Sequence, residues 1–171
     1  MIKWFYLAIA FFLDSLLMAV FPYDYGLSNY NFTPGTVILA LLILAKDFEL
    51  YEFLSIAWVT GIIYGFIFYG DFFWYGVIFL LVGFIAKIWS IYITYSYLEY
   101  ILLGLSLITI KEVLVFIIFT LVKNHQIPIL LWLTKELFLT VLLNTPLIIL
   151  MIYLSKKVLD YYDINSFKTN K

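Results

Sequence analysis

Oppositely charged side chains interrupt two long apolar stretches of this sequence. The pairs are Lys111–Glu112, within residues 101–122, and Lys135–Glu136, within residues 129–154. A charged side chain at the centre of a bilayer costs roughly 3 kcal/mol on insertion scales. Four such groups are tolerated only where they neutralise one another or face a polar interior. Helices that carry them must therefore assemble into a bundle.

The composition predicts an integral membrane protein. Of the 171 residues, 65% are hydrophobic and 12% are charged, and the mean hydropathy is +1.06. Soluble domains use roughly 45–50% apolar residues, and a chain of this length cannot bury so much more. We expect a single polytopic membrane domain over residues 1–171, in contact with the lipid bilayer. A net charge of −1 argues against nucleic acid as a partner.

Catalysis and metal binding are not indicated by the residue content. The chain has no cysteine, which excludes disulfides, thiol catalysis and thiolate metal ligands. His125 is the single histidine and has no second metal-ligating neighbour. No nucleophile–base set or phosphate loop is present. We therefore expect a protein that is not an enzyme and that uses no cofactor.

Six apolar segments are predicted to be membrane-spanning helices. They cover residues 4–21, 34–45, 50–69, 72–88, 101–122 and 129–154, followed by a polar tail at 156–171. The second segment is short for a span, which needs about 20 residues, unless it extends through residues 46–49. Pro34 suits the first turn of this helix. Gly70 and Asp71 predict a tight turn between the third and fourth helices.

The distribution of lysine predicts the orientation in the membrane. With six spans and a cytoplasmic N-terminus, one side of the membrane holds all the lysines outside the spans except Lys123. This asymmetry satisfies the positive-inside rule. The heavy use of Phe, Tyr, Ile, Lys and Asn fits an AT-rich bacterial genome. We therefore expect a multi-pass protein of the bacterial plasma membrane with both termini in the cytoplasm.

The charged pairs are the foremost candidate site. Adjacent residues on a helix point about 100° apart, so Lys111 and Glu112 are not expected to face each other. Their depths favour cross-pairs, either Lys111 with Glu136 or Glu112 with Lys135. Three roles remain open: a structural ion-pair cluster, a contact for a partner or ligand, and proton-coupled transport.

Three further residues are predicted to lie inside the spans. Asp14 interrupts the first segment, as a carboxylate bonded to a neighbouring helix or as a site residue. Pro146 frees a backbone carbonyl and bends the last helix. Asn144, two residues earlier, can satisfy such a group or bond across to another helix.

Small residues predict close helix packing. Gly61 and Gly65 form a Gly-x-x-x-Gly pattern in the third segment. This spacing lets helix backbones approach closely. Packing against the fourth helix, through Gly76 and Gly83, is favoured over homodimerisation.

Several of these features together resemble the MreD family of bacterial rod-shape systems, over nearly the full chain. They are Pro34 before a short second helix, residues 60–65, the aromatic turn at 68–75, residues 80–87, Glu112, residues 142–144 and the lysines at 156–157. The family usually carries an acid four positions after the third-helix glycine. Here those positions hold Gly65 and Tyr69, and the nearest acid is Asp71.

The resemblance implies both a fold and a function. The fold would be a compact bundle of six transmembrane helices, similar to the substrate-binding subunits of energy-coupling-factor vitamin transporters. The function would be that of a non-enzymatic membrane partner of MreC. In that role the protein would help couple the MreB filament to the RodA polymerase and the elongation transpeptidase.

Two other classes remain open. A substrate-binding subunit of a vitamin transporter would share the helix count, and residues 22–33 would form an outer loop able to cap its pocket. The small-residue patch expected on its first helix is missing, because Phe12 follows Ala8 at the fourth position. A small permease would use Glu112 and Glu136 to couple transport to protons.

Overall fold

The regular secondary structure is entirely helical in the part of the chain that the structure describes. A computed structural model describes residues 2–22, 30–92, 97–122 and 127–169, with the backbone alone at residues 2, 3, 5, 97 and 155–169. The elements are α1 (Ile2–Val20), α2 (Thr36–Leu44), α3 (Leu50–Phe68), α4 (Phe72–Ser90), α5 (Tyr97–Val122), α6 (Ile129–Trp132), a π-helical turn (Leu133–Leu137) and α7 (Phe138–Thr169). The predicted all-α class is confirmed.

Within the described residues, four helices are long and apolar enough to cross a membrane. Two of them are α3 (Leu50–Phe68) and α4 (Phe72–Ser90). The other two are Leu98–Val122 within α5 and Ile129–Leu154, which runs from α6 into α7. The part of α1 from Tyr6 to Val20 is a shorter apolar helix. Large apolar side chains on these helices point outward; Phe66 is 72% exposed and Leu130 is 73% exposed. Such a surface is unfavourable in water and suits contact with lipid.

The short helix α2 occupies the centre of the bundle. Its nine residues rise about 14 Å, which is less than half of a hydrocarbon core of about 30 Å. Every residue of α2 except Ile43 is buried, and the helix packs against α1, α4, α5 and α7. It begins two residues after Pro34, and it ends at Leu44 rather than continuing through residues 46–49. The helix therefore starts and stops inside the protein.

The turn between α3 and α4 has the geometry that its sequence predicts. Gly70 has a φ of +67°, a conformation that glycine adopts without a steric penalty. The Asp71 side chain accepts a hydrogen bond of 3.4 Å from the backbone N–H of Trp74 and so caps α4. The two helices form a tight antiparallel hairpin.

Glycines lie at the contact between α3 and α4. A Cβ added at Gly61 would lie 2.5 Å from both the Phe79 Cβ and the Tyr75 carbonyl oxygen. One added at Gly65 would overlap the Asp71 carbonyl oxygen, and one at Gly83 would lie 2.7 Å from the Ala57 Cβ. The two backbones approach so closely that side chains are not accommodated at these positions.

The last helical segment is irregular and longer than expected. It begins as α6, widens into the π-helical turn that contains Lys135 and Glu136, and continues as α7. Pro146 lies inside α7 on its exposed side. The helix runs on to Thr169, through the segment predicted to be a polar tail. Residues 23–29 and 123–126, which include most of the proposed capping loop as well as His125, lie outside the described residues.

Gly61 provides a test of the hairpin. We expect Gly61→Val to lower the free energy of unfolding by roughly 2 kcal/mol, because the added atoms overpack the α3–α4 contact. The measurement is loss of helical circular dichroism during titration from mild detergent into SDS. The control is Ile63→Val on the same helix, where the Ile63 side chain is 44% exposed. This substitution should change stability by less than about 0.5 kcal/mol. Equal effects of the two substitutions would contradict this packing.

Candidate functional site

Polar and ionisable side chains meet at the centre of the bundle, where the chain leads into α2. This polar cluster consists of residues that are each at most 1% exposed: Asp14, Asn31, Thr33, Thr36, Lys111, Glu112, Glu136, Thr140 and Asn144. They come from α1, the first residue of α2, α5, the π-helical turn, α7 and the buried residues that precede α2. In an apolar bundle, groups of this kind are stable only when they bond to one another.

The cluster surrounds a non-helical stretch, residues 31–35, which we call the buried connector. All five of its residues are buried. Irregular backbone at membrane depth must find hydrogen-bond partners within the protein. The backbone N–H of Asn31 donates to the Lys135 carbonyl oxygen at 2.9 Å, and the Tyr64 hydroxyl donates to the Pro34 carbonyl oxygen at 3.2 Å. The vitamin-transporter alternative would place residues 31–33 in an outer capping loop, but in the structure these residues are buried inside the bundle.

Asn144 holds the middle of the buried connector. Its Oδ1 accepts from the Gly35 N–H at 2.8 Å. Its Nδ2 donates to the carbonyl oxygens of Thr33 at 2.9 Å and of Thr140 at 2.8 Å. The Thr140 hydroxyl, one turn away on α7, accepts from the Thr33 N–H at 3.2 Å. The Asn144 side chain thus bonds across to the connector, one of the two roles that the sequence left open.

Each end of α2 is held by a side chain whose charge is opposite to that end of the helix dipole. Asp14 Oδ1 accepts from the Thr36 N–H at 3.0 Å and from the Thr36 hydroxyl at 2.5 Å, and Oδ2 accepts from the Val37 N–H at 3.3 Å. At the other end, Lys87 Nζ donates to the carbonyl oxygens of Ala45 and Phe48, each at 2.7 Å. A carboxylate at a helix N-terminus and an ammonium near its C-terminus both oppose the helix dipole favourably.

Lys111 and Glu112 form a direct ion pair. Lys111 Nζ lies 2.5 Å from Glu112 Oε1, with both side chains 1% exposed. The same oxygen accepts a hydrogen bond from the Thr33 hydroxyl. Our expectation that these neighbours would not face each other is wrong. Their long side chains curve together within the protein and span the 100° between the two positions.

The second pair contributes to the site through the backbone of Lys135. Glu136 is buried, whereas Lys135 is half-buried. Both lie in the π-helical turn. Such a turn shifts the helical hydrogen-bond register by one residue and so leaves a carbonyl group available. The Lys135 carbonyl oxygen accepts the bond from the Asn31 N–H.

Five of the candidate residues from the sequence belong to the polar cluster: Asp14, Lys111, Glu112, Glu136 and Asn144. Pro34 lies in the buried connector, Pro146 is exposed, and Gly61, Gly65 and Gly83 lie apart in the α3–α4 contact. The sequence analysis missed the polar partners Thr33, Thr36, Thr140 and Tyr64. One signal was present, because Thr140 lies four residues before Asn144 and shares its helix face.

The cluster has the chemistry of an internal scaffold. Among the described residues, no group of three or more His, Cys, Asp or Glu side chains is placed to hold a metal ion. The carboxylate oxygens of Asp14 and Glu112 accept hydrogen bonds from the chain itself. The arrangement therefore joins α1, α5 and α7 to the buried connector and to α2.

Comparison of the chain with protein-family models, with curated proteins and with solved structures found no match. The described part of the protein is a helical bundle with four helices long and apolar enough to cross a membrane, built around a short buried helix and a polar cluster.

Asp14 tests the anchoring of α2. We expect Asp14→Ala to lower the free energy of unfolding by about 3 kcal/mol or more, because the buried N–H groups of Thr36 and Val37 lose their acceptor. Ser15→Ala, at the exposed neighbouring position, should change stability by less than about 0.5 kcal/mol. SDS titration of both variants makes the comparison, and a similar small effect of both would argue against the cap.

A double-mutant cycle tests the ion pair. Lys111→Met alone leaves the Glu112 carboxylate buried without its cation, and we expect a loss of roughly 3–5 kcal/mol. The double variant Lys111→Met/Glu112→Gln removes both charges, so its loss should be smaller than the sum of the two single losses by at least about 1 kcal/mol. Unfolding free energies of all four proteins give the coupling. Additive losses would show that the two side chains do not stabilise each other.

Proposed function

We propose that this protein is a non-enzymatic membrane component of the bacterial cell-elongation machinery that binds MreC directly. It would reside in the plasma membrane as a six-helix bundle with both termini in the cytoplasm. In the wider complex it would help couple MreB to the RodA polymerase and the elongation transpeptidase. The proposal begins from the sequence features that resemble the MreD family, from Pro34 to the lysines at 156–157.

One observation supports a scaffold above the other classes: the interior carboxylates of Asp14 and Glu112 and the amide of Asn144 bond to the chain itself. In transporters with broken helices, the N-terminus of a half-helix commonly faces the anionic group of the substrate. In this protein that position belongs to Asp14, whose carboxylate accepts from the Thr36 and Val37 N–H groups. A built-in carboxylate at this place favours permanent assembly over reversible capture of a small anion.

The alternative of a proton-coupled permease gains less support. Glu112 is paired with Lys111 and accepts from Thr33, at 1% exposure. Transport of protons needs a chain of titratable groups that leads through the membrane. A carboxylate bonded on the inside of a packed cluster suits an assembly role better.

A partner would then meet the outer, apolar surface of the bundle. Between helices in lipid, apolar surface gives little drive for association, so close packing and shape supply the specificity. Rigidity of the bundle is therefore a condition for binding. The polar cluster supports the proposal through this route, since it fixes α1, α5 and α7 relative to α2.

Co-purification with MreC tests the proposed function. We expect co-expressed MreC to co-elute with the protein on size-exclusion chromatography in mild detergent. The matched control is an MreC variant whose single membrane span is replaced by an unrelated apolar span of equal length. This MreC variant should elute separately. Glu52→Gln, at an exposed position, should leave the complex intact. If wild-type MreC also elutes alone, the proposed function is wrong.

A further inference from the structure

The ammonium group of Lys111 is the one buried cation of the polar cluster whose bonding within the described chain is incomplete. Lys111 is 1% exposed. Its Nζ lies 2.5 Å from Glu112 Oε1 and 5.9 Å from the centre of the Tyr64 ring. Despite the charge contact, Nζ has no well-oriented hydrogen bond within the described part of the protein.

A lysine ammonium carries three N–H donors and has no acceptor of its own. Leaving such donors unsatisfied in an apolar interior is strongly unfavourable, and a nearby counter-charge compensates for only part of that penalty. The aromatic face of Tyr64 attracts the positive charge but accepts no conventional hydrogen bond. A further acceptor beside Lys111 is therefore needed to complete its bonding.

The charges around this position restrict what the acceptor can be. Glu112 touches the ammonium, and Asp14 lies within range of its charge. These two carboxylates disfavour an anionic ligand, and the ammonium disfavours a cationic one. A small neutral molecule that accepts hydrogen bonds is left. Water has the right size and bonding, since buried waters typically make about three hydrogen bonds to buried polar groups.

We propose that Lys111 anchors an internal water-binding site between α3 and α5, bounded by Tyr64 and Glu112. The water accepts from the Lys111 ammonium and donates to carboxylate oxygen. It completes the bonding of the buried cation without adding charge to the interior. This site is independent of the proposed function, because it concerns how the interior accommodates Lys111 in any role.

Hydroxyl-radical footprinting of the wild-type protein in detergent tests this site. A millisecond X-ray pulse generates radicals from bound water, and these radicals modify the side chains beside it. Tyr64 is 1% exposed and lies beside Lys111. Phe53 is the matched control: an aromatic side chain that also reacts with hydroxyl radicals, 0% exposed and about 16 Å away along the same helix. We expect Tyr64 to be modified on the order of ten-fold faster than Phe53, because a dry interior has no radical source.

Removal of the anchor provides the second comparison. In Lys111→Met/Glu112→Gln, which removes both charges together, the Tyr64 rate should fall to about that of Phe53, because a thioether binds water poorly. An unchanged Phe53 rate reports an intact fold. Equal rates for Tyr64 and Phe53 in the wild type would overturn the proposal, whatever the variant does. Fast modification of Tyr64 in the folded double variant would overturn the assignment of Lys111 as the anchor.

Discussion

The bundle depends on the hydrogen bonding of a backbone that breaks inside an apolar protein. Helix α2 is too short to span a bilayer, so its ends and the buried connector expose backbone N–H and C=O groups far from water. Each such group must find a partner or destabilise the fold. Asp14, Lys87 and Asn144 supply these partners from three other helices. A backbone requirement thus decides where the interior polar side chains lie.

This requirement also explains why the side chains that bond to the backbone include both acceptors and donors. N–H groups need acceptors, which Asp14 Oδ1 and Asn144 Oδ1 supply, and carbonyl groups need donors, which Lys87 Nζ and Tyr64 Oη supply. Acceptors alone would have left the carbonyl groups without partners, and donors alone would have left the N–H groups without them. The Lys111–Glu112 pair also bonds to the connector, because Glu112 accepts from the Thr33 hydroxyl.

Much of the fold could be predicted because its signals are local. Apolar length gave the helices, and Gly70 with Asp71 gave the hairpin turn. Charged and amide residues within apolar segments identified five members of the polar cluster, since such residues must face an interior. The connector was not predictable in this way, because Asn31 and Thr33 are small polar residues of the kind that also form surface loops. Which helix meets which is a property of the whole bundle, so the partners of each group were beyond a reading of one sequence.

The direct contact of Lys111 with Glu112 and the π-helical turn escaped the sequence for another reason. The π-helical turn is a small departure from average backbone winding, and the ion pair depends on how two long side chains curve away from a regular helix. Average geometry places adjacent residues 100° apart and spaces each turn by 3.6 residues. The buried surroundings supply the energy for departures of this size, and those surroundings are formed only when the bundle assembles.

The π-helical turn at Leu133–Leu137 sets the angle by which the two parts of the last helix are rotated relative to each other. Because this turn holds one more residue than a regular turn, it resets the phase between the two parts of the helix. Upstream, Trp132 stacks on Phe116 with ring centres 4.5 Å apart, while downstream Thr140 and Asn144 face the connector. Loss of a single residue here would shorten the helix by only about 1.5 Å but rotate one part against the other by about 100°. The two ends of this helix could then no longer engage the bundle at the same time, whatever the thickness of the surrounding membrane.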